Sequence, residues 1–561
     1  MTTDDPILQC TDLSVKYPGN IHAVQGISFH INAGECVALV GESGCGKTTI
    51  ARSILGLLPE GATNKGSITI CNKEVIGASP AFLQSMRGLT VGFVAQDPFK
   101  ACNPLDKIKE HVAEAWRAHN FKSPFNRILN LLHKLKIKNV SSMVKSFPHQ
   151  WSGGMLQRAT IAAAIAHRPP LVVADEPTSA LDADIADTTL SLLKQSKAAI
   201  LLISHDITLV SRHADRVAII YAGRIVELTN TRSLRLHPRH PYTVGLFNAM
   251  PQAGKGLPQP LPGTPPKLSI TINGCAFAPR CGSQQPSCLT KIPELYNGLA
   301  CPVVISPKWK NKPCSPDGNK SSKVLFQKHI TSNRPVLVAE AHNIAKVYGK
   351  GKKSVLAISK ASLQVRKGEV IGICGASGCG KSTFLRILST IDYPDCGVIY
   401  LNGQPVNQRI KRLNHGCSRK GYVMPVFQDP VGSLDPRWPI WRTIAEPLTA
   451  KQSLSRATRQ SIAAEKLSEV GLGNIDINAR PYELSVGQCQ RISILRAIIA
   501  NPALLVADEP TSALDASIAA TVLSLFADIA RRGTSIVIVS HDKAILNAIC
   551  HRVLTMKDGV L

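Results

Sequence analysis

Two lysines, each closing a glycine-rich octapeptide, mark where this 561-residue chain carries its chemistry. GESGCGKT (Gly41 to Thr48) and GASGCGKS (Gly375 to Ser382) each follow an apolar run and precede a helical pattern, the context a phosphate-binding loop requires. Gly44, Gly46, Gly378 and Gly380 let the backbone turn its N–H groups inward against phosphate. The helix that follows adds a partial positive charge of about +0.5 at its N-terminus. Lys47 and Lys381 would hold the terminal phosphates of a nucleoside triphosphate, and Thr48 and Ser382 would bind Mg²⁺.

The rest of the apparatus follows in the same order in both copies. LVVADE and LLVADE are apolar runs ending in two carboxylates: Asp175 or Asp508 points toward the Mg²⁺ sphere, and Glu176 or Glu509 can polarise an attacking water. His205 and His541 each stand in an SHD sequence after another apolar run, placed to contact a γ-phosphate. Lys47, Gln96, Ser152, Glu176 and His205 thus repeat as Lys381, Gln428, Ser485, Glu509 and His541, about 333 residues on, far beyond the ~20–50 of a solenoid repeat. One whole module is duplicated.

These groups need a scaffold that ends strands at phosphate. ECVALV, LVVAD and AILLIS, with counterparts EVIGIC, LLVAD and SIVIVS, are apolar throughout rather than alternating, as in strands covered on both faces of a largely parallel sheet. An α/β fold with two tandem modules is expected, at 1–232 and 336–561. Between them, 233–311 is dense in Pro, Gly and Cys (HPRHPY, PLPGTPP, CPVV), and 312–335 is a polar, turn-rich linker. KDGVL in the second module corresponds to AGRIV (Ala222 to Val226) in the first, and only the first copy carries the extension.

With 44% hydrophobic residues the composition is that of a globular protein, and no apolar run reaches the ~20 residues needed to span a bilayer. MTTDDPILQC has neither a basic n-region nor an apolar h-region, which predicts no secretory leader and a cytoplasmic location. Most of the sixteen cysteines, Cys36, Cys71, Cys374 and Cys550 among them, sit singly in apolar or glycine-rich stretches, as small buried hydrophobes do. The formal charge is +27. Such an excess suits RNA, a ribosome or an anionic membrane face, and equally a solvated lysine surface.

WSGGM (Trp151 to Met155) and LSVGQ (Leu484 to Gln488), each before a basic helical stretch, approximate a signature pentapeptide, and here the sequence resembles the ATP-binding cassette (ABC) family of P-loop NTPases. The resemblance covers nearly the whole chain. It implies that Tyr17 and Tyr348 stack on adenine, that Gln96 and Gln428 join the Mg²⁺ sphere and sense a transport partner, and that SALD (Ser179 to Asp182; Ser512 to Asp515) joins two ATP sites. Gly41, Ser43, Gly44, Cys45, Gly46, Lys47, Thr48 and Thr49 then line one nucleotide, and Gly375, Ser377, Gly378, Cys379, Gly380, Lys381, Ser382 and Thr383 the other. In that family the modules pair head to tail. Lys47 would share a nucleotide with Ser485, Gly487 and Gln488, and Lys381 with Ser152, Gly153 and Gly154. The roughly 100 intervening residues permit this pairing within one chain. Val486 stands where the family has glycine, so the site with Lys47 is expected to turn over more slowly.

HPRHPYTVGLFNAMP, PLPGTPP and GCAFAPRC, with QDPFKACNP and QDPVGSLDPR after the two glutamines, look like ATPases of oligopeptide, dipeptide and nickel importers. This implies a peripheral subunit at the inner membrane, working with two transmembrane permease subunits and an extracytoplasmic substrate-binding protein. Peptides are the default cargo, with nickel or metal chelates as the nearest alternative. The rival reading is a tandem-cassette ATPase acting on ribosomes or nucleic acid, but those proteins usually join their cassettes by a charged helical linker. Cys275, Cys281, Cys288 and Cys301 can hold Zn²⁺ or an iron–sulfur cluster, or stay unligated, since their spacing matches neither a zinc ribbon nor a ferredoxin run. The family resemblance favours a [4Fe–4S] cluster over zinc.

Overall fold

The computed structural model describes residues 5–178, 181, 183–251, 256–270, 272–302, 336–349, 354–376, 378–406, 421–449, 452–512 and 514–561. The chain divides into two compact units, Met1–Phe247 with Leu261–Pro316, and Asn248–Pro260 with Asp317–Leu561.

In the first unit the central sheet runs, in spatial order, Arg224–Asn230, Arg216–Tyr221, Cys36–Val40, Ala199–Ile203, Leu171–Asp175 and Val91–Val94. All neighbours are parallel except the first pair. Every residue of Cys36–Val40, Leu171–Asp175 and Ala199–Ile203 is buried, which is why these strands read as unbroken apolar runs. A second, antiparallel sheet orders Ile21–Ile31, Leu8–Tyr17, Thr63–Ile70 and Lys73–Glu74. The helix Lys47–Ile54 turns Ile50, Ala51 and Ile54 into the same hydrophobic core as both sheets. Its N-terminus is therefore fixed where the strand Cys36–Val40 ends.

The second unit repeats the plan. Val423–Val426, Leu504–Asp508, Ser535–Val539, Val370–Cys374 and Arg552–Thr555 form a parallel sheet. Val355–Arg366, Leu337–Tyr348, Cys396–Leu401 and Gln404–Val406 form the antiparallel one. A separate helical core joins Ile440 and Trp441 from Ile440–Thr449, Leu467 from Arg456–Glu469, and Cys489, Ile492 and Leu495 from Val486–Ile498. That core anchors the helix whose N-terminus carries Ser485.

Of the Pro/Cys-rich extension, 233–247 and the described residues of 261–311 lie in the first unit with the first module, whereas Asn248–Pro260 belongs to the second unit. Leu228 donates its N–H to Gly298 at 2.8 Å, and Ala300 donates to Val226 at 2.9 Å, so the end of the extension pairs with the edge strand Arg224–Asn230. Among the described residues no helix is long and apolar enough to cross a membrane.

Candidate functional site

Each phosphate loop is shaped by the left-handed backbone its glycines supply. Gly44 and Gly46 have φ of 81° and 105°, and Gly378 and Gly380 have 79° and 102°. Lys47, buried at the start of its helix, donates from Nζ to Gly41 O at 2.7 Å and Glu42 O at 3.0 Å. Lys381 donates to Gly375 O and Ala376 O, both at 2.8 Å. Cys45 and Cys379 pack beside these lysines, with Sγ 3.7 and 3.9 Å from Nζ. Each ammonium is thus held in its own loop by carbonyl oxygens, at the position from which it can transfer to phosphate.

Thr48 hydrogen-bonds Asp175, and Ser382 hydrogen-bonds Asp508. Burial pushes both carboxyls above the usual aspartate range, against the pull of these hydroxyls. One oxygen of each, Oδ1, is buried with no hydrogen-bond partner among the described residues. An orphaned carboxylate oxygen beside a hydroxyl, at the foot of a phosphate loop, fits an Mg²⁺ ion and its waters.

The adjacent glutamates take a conformation that non-glycine residues avoid, with φ of 49° at Glu176 and 45° at Glu509. Their N–H groups are tied to Ile203 O and Val539 O, each at 2.9 Å. His205 Nδ1 lies 2.8 Å from Glu176 Oε2, and His541 Nδ1 lies 3.3 Å from Glu509 Oε2. Burial alone would raise the Glu509 carboxyl, but His541 and Lys381 bring it below the usual range. It is held as carboxylate, the form a water-polarising base needs.

Gln96 and Gln428 are exposed, two residues past the strands Val91–Val94 and Val423–Val426. Tyr17 and Tyr348 end their strands near the loops: Tyr17 Oη is 3.1 Å from Thr49 Oγ1, and Tyr348 donates to Asp392 Oδ2 at 2.7 Å and contacts Thr383. Ser43 and Gly44 are exposed at the first loop. Ser152 caps the helix Gly153–Ile165, which starts with Gly153 and Gly154, by accepting Met155 N–H. Ser485 caps Val486–Ile498 and forms a reciprocal capping box with Gln488. Val486 occupies the first helical position with its side chain exposed, and Gly487 is buried against Ile518. Ser377, Ser179, Asp182 and the linker 312–335 lie outside the described residues. Ser512 donates to Glu509 O at 3.1 Å, and Asp515 is the N-cap residue of the helix Ala516–Arg531.

The four-cysteine expectation fares differently. Cys275 donates its N–H to Cys288 O at 2.7 Å. Yet among the described residues no three His, Cys, Asp or Glu side chains gather in a group that could hold a metal ion. The geometry around Cys275, Cys281, Cys288 and Cys301 therefore gives no support to a [4Fe–4S] cluster or to zinc. Even sequence spacing among turn formers does not fix where the thiols point.

Residues 24–179 and 358–512 match the ABC transporter family. The chain belongs to that family. The matches take in Lys47, Gln96, Ser152 and Glu176, and their partners Lys381, Gln428, Ser485 and Glu509. This ABC protein is an ATPase, and its nucleotide is used with Mg²⁺. Residues 226–288 match the C-terminal region of oligopeptide/dipeptide transporters. The chain is 37% identical to an oligopeptide transport ATP-binding protein (OppD) of Mycobacterium bovis over 99% of its length and 94% of that protein's. It is 30% identical to a glutathione import ATP-binding protein (GsiA) of Pectobacterium atrosepticum, over 100% and 86% of the two chains. To a peptidoglycan transport ATP-binding protein (YejF) of Agrobacterium fabrum it is 32% identical, over 100% and 92%.

Sequence reasoning missed how the extension is seated. His240 is buried; its Nδ1 accepts Tyr242 N–H at 3.1 Å, which places the ring proton on Nε2, where it finds no partner among the described residues. His240 and Arg239 donate their N–H groups to the buried Glu227, at 3.0 Å each. Burial pushes His240 from 6.5 down to about 4. Between those values the unfolded chain binds the proton and the folded one does not, so stability falls as pH drops through this window, by at most ~3 kcal/mol. Thermal melts of the full chain between pH 7 and 4.5 should show the loss, and His240→Asn, which keeps an acceptor for Tyr242, should flatten it.

Proposed function

We propose that this ABC ATPase energises a bacterial importer of di- and oligopeptides. It works from the cytoplasmic face of the inner membrane with two transmembrane permease subunits and an extracytoplasmic substrate-binding protein. The observation that carries this reading is the extension matched over 226–288, of which 226–247 and 261–288 lie in the unit of the first module. A peptide cargo is preferred to nickel because oligopeptide, glutathione and peptidoglycan transport are what the named relatives are called.

In each module the phosphate loop and helix N-terminus would bind the triphosphate, with Lys47 or Lys381 leaving its loop carbonyls for the terminal phosphates. Thr48 with Asp175, and Ser382 with Asp508, would hold Mg²⁺, joined by Gln96 or Gln428. Glu176 and Glu509 would take the proton of the attacking water, while His205 and His541 steady those carboxylates and the departing γ-phosphate. Ser152 with Gly153 and Gly154, and Ser485 with Gly487 and Gln488, would present capped helix N-termini to nucleotide. Exposed Gln96 and Gln428 are suited to report nucleotide state to a permease.

The test is purification of the tagged chain from its native membrane, then reconstitution. Co-purifying permease subunits, ATPase activity stimulated by a tripeptide-loaded binding protein, and no stimulation by Ni²⁺ are expected. Salt-sensitive co-purification with ribosomes or RNA, without permeases, would overturn the reading.

A further inference from the structure

The two phosphate loops differ at their second residue, Glu42 in the first and Ala376 in the second. Ala376 is exposed, whereas Glu42 is buried. A carboxylate inside a loop that receives a triphosphate opposes its own ligand unless something neutralises it. The extension supplies that neutralisation. Arg280 donates from Nη1 to Glu42 Oε2 at 2.6 Å and from Nη2 to Oε1 at 3.1 Å, a bidentate pair buried on both sides. The guanidinium is fixed in turn by Pro262 O, 2.7 Å from Nε, by Tyr221 Oη at 3.3 Å, and by the Phe277 ring. Fully buried Tyr242 accepts the Glu42 N–H at its hydroxyl, at 2.9 Å. The carbonyl of Glu42 accepts from Lys47 Nζ. One residue of the cradle therefore links the extension to the phosphate-binding lysine.

We infer that Arg280 and Tyr242 are positioning residues for the first ATP site, and that the extension sets the charge of that cradle. The second loop shows what the clamp is for. There Lys381 makes the same pair of carbonyl bonds with alanine at the equivalent position, so a clamp is not needed to build the cradle. It is needed because Glu42 is there. Losing one member of a buried ion pair leaves an uncompensated charge, and here that charge would sit against the nucleotide. The first module's ATP affinity thus depends on a residue 238 positions further along the chain.

The inference rests on Gly41–Thr48 being a nucleotide site, and the experiment separates the two claims. In the full chain carrying Lys381→Ala, binding of a fluorescent, non-hydrolysed ATP analogue with Mg²⁺ is titrated. Absence of all binding in this parent refutes the site itself and the inference with it. Given binding, Arg280→Met is expected to lower affinity at least ~10-fold, the worth of a modest uncompensated charge. Glu42→Ala, which breaks the same pair but leaves the positive partner, should not lower it, and Glu42→Ala with Arg280→Met should return to within about threefold of the parent. A merely structural clamp predicts equal losses in both single variants. That result, an unchanged Arg280→Met, or a double variant as weak as Arg280→Met would overturn the inference. If Arg280→Met does not fold, Arg280→Lys keeps the charge without the fork and should bind within about threefold; a larger loss sinks the charge argument.

Discussion

With both Glu176→Gln and Glu509→Gln in place, steady-state ATPase activity is expected to fall by about 10²–10⁴-fold while ATP affinity stays within about threefold of the parent. The split follows from geometry. Glutamine keeps the shape of the side chain and its reach toward His205 or His541, 2.8 and 3.3 Å from the present carboxylates, but it cannot accept a proton from water. Lys47 and Lys381 make their loop contacts independently of these carboxylates, so binding survives. Holding a non-glycine residue at φ of 49° or 45° costs about 1–3 kcal/mol, a cost retained at a functional position. The substitution leaves that backbone alone, since the N–H bonds to Ile203 and Val539 are made by the main chain. Either single variant should keep the share of turnover contributed by the other module. A double variant retaining a tenth or more of parental turnover would remove the glutamates from the chemistry.

The site was legible in sequence where a side chain's role is set by neighbours on the same strand or loop. Asp175 and Glu176 could be placed because the four apolar residues before them, Leu171 to Ala174, read as a buried strand, and that strand ends at Asp175, one residue past the run. The same holds for Lys47, whose hydrogen bonds to the loop carbonyls reach back only five and six residues. Legibility stopped at contacts between distant segments. Glu42 and Arg280 are separated by 238 residues, and neither a lone glutamate in a loop nor a lone arginine in a Pro-rich stretch announces its partner. Only the difference between the two loops, glutamate at 42 against alanine at 376, held a signal that something must answer the first loop's charge. The antiparallel sheets were also missed. Leu8–Tyr17 alternates imperfectly because its pairing with Ile21–Ile31 shifts register three times, and each shift breaks the period-two pattern by which such strands are read. The cysteines show the same limit: four sulfurs in a short stretch suggested a metal, but sequence separation carries no information on thiol direction, and the described residues give that suggestion no support.

Alanine at Gly46 or Gly380 is expected to abolish measurable nucleotide binding in its own module, at least a ~10²-fold loss, and to destabilise that module by about 2–3 kcal/mol. Two independent effects add here. Both residues sit in left-handed backbone, φ 105° and 102°, which an L-residue adopts only under strain. A β-carbon would also lie 2.3 Å from Ala23 O at Gly46, and 2.3 Å from Ala357 O at Gly380. Neither carbonyl can yield easily, because Ala23 and Ala357 belong to the paired strands Ile21–Ile31 and Val355–Arg366. The loop must move instead, and the next residue is the phosphate-binding lysine. Gly44 separates the two effects, having φ of 81° with nothing within 4 Å of an added β-carbon. Gly44→Ala should therefore cost only the backbone strain, about 1 kcal/mol, and weaken nucleotide binding by ~10-fold or less. Isothermal titration with MgATP and thermal melts of the full-length variants would rank them. If Gly44→Ala and Gly46→Ala proved equally damaging, the close approach of the strand carbonyl would have no part in shaping the cradle, and left-handed backbone alone would account for its glycines.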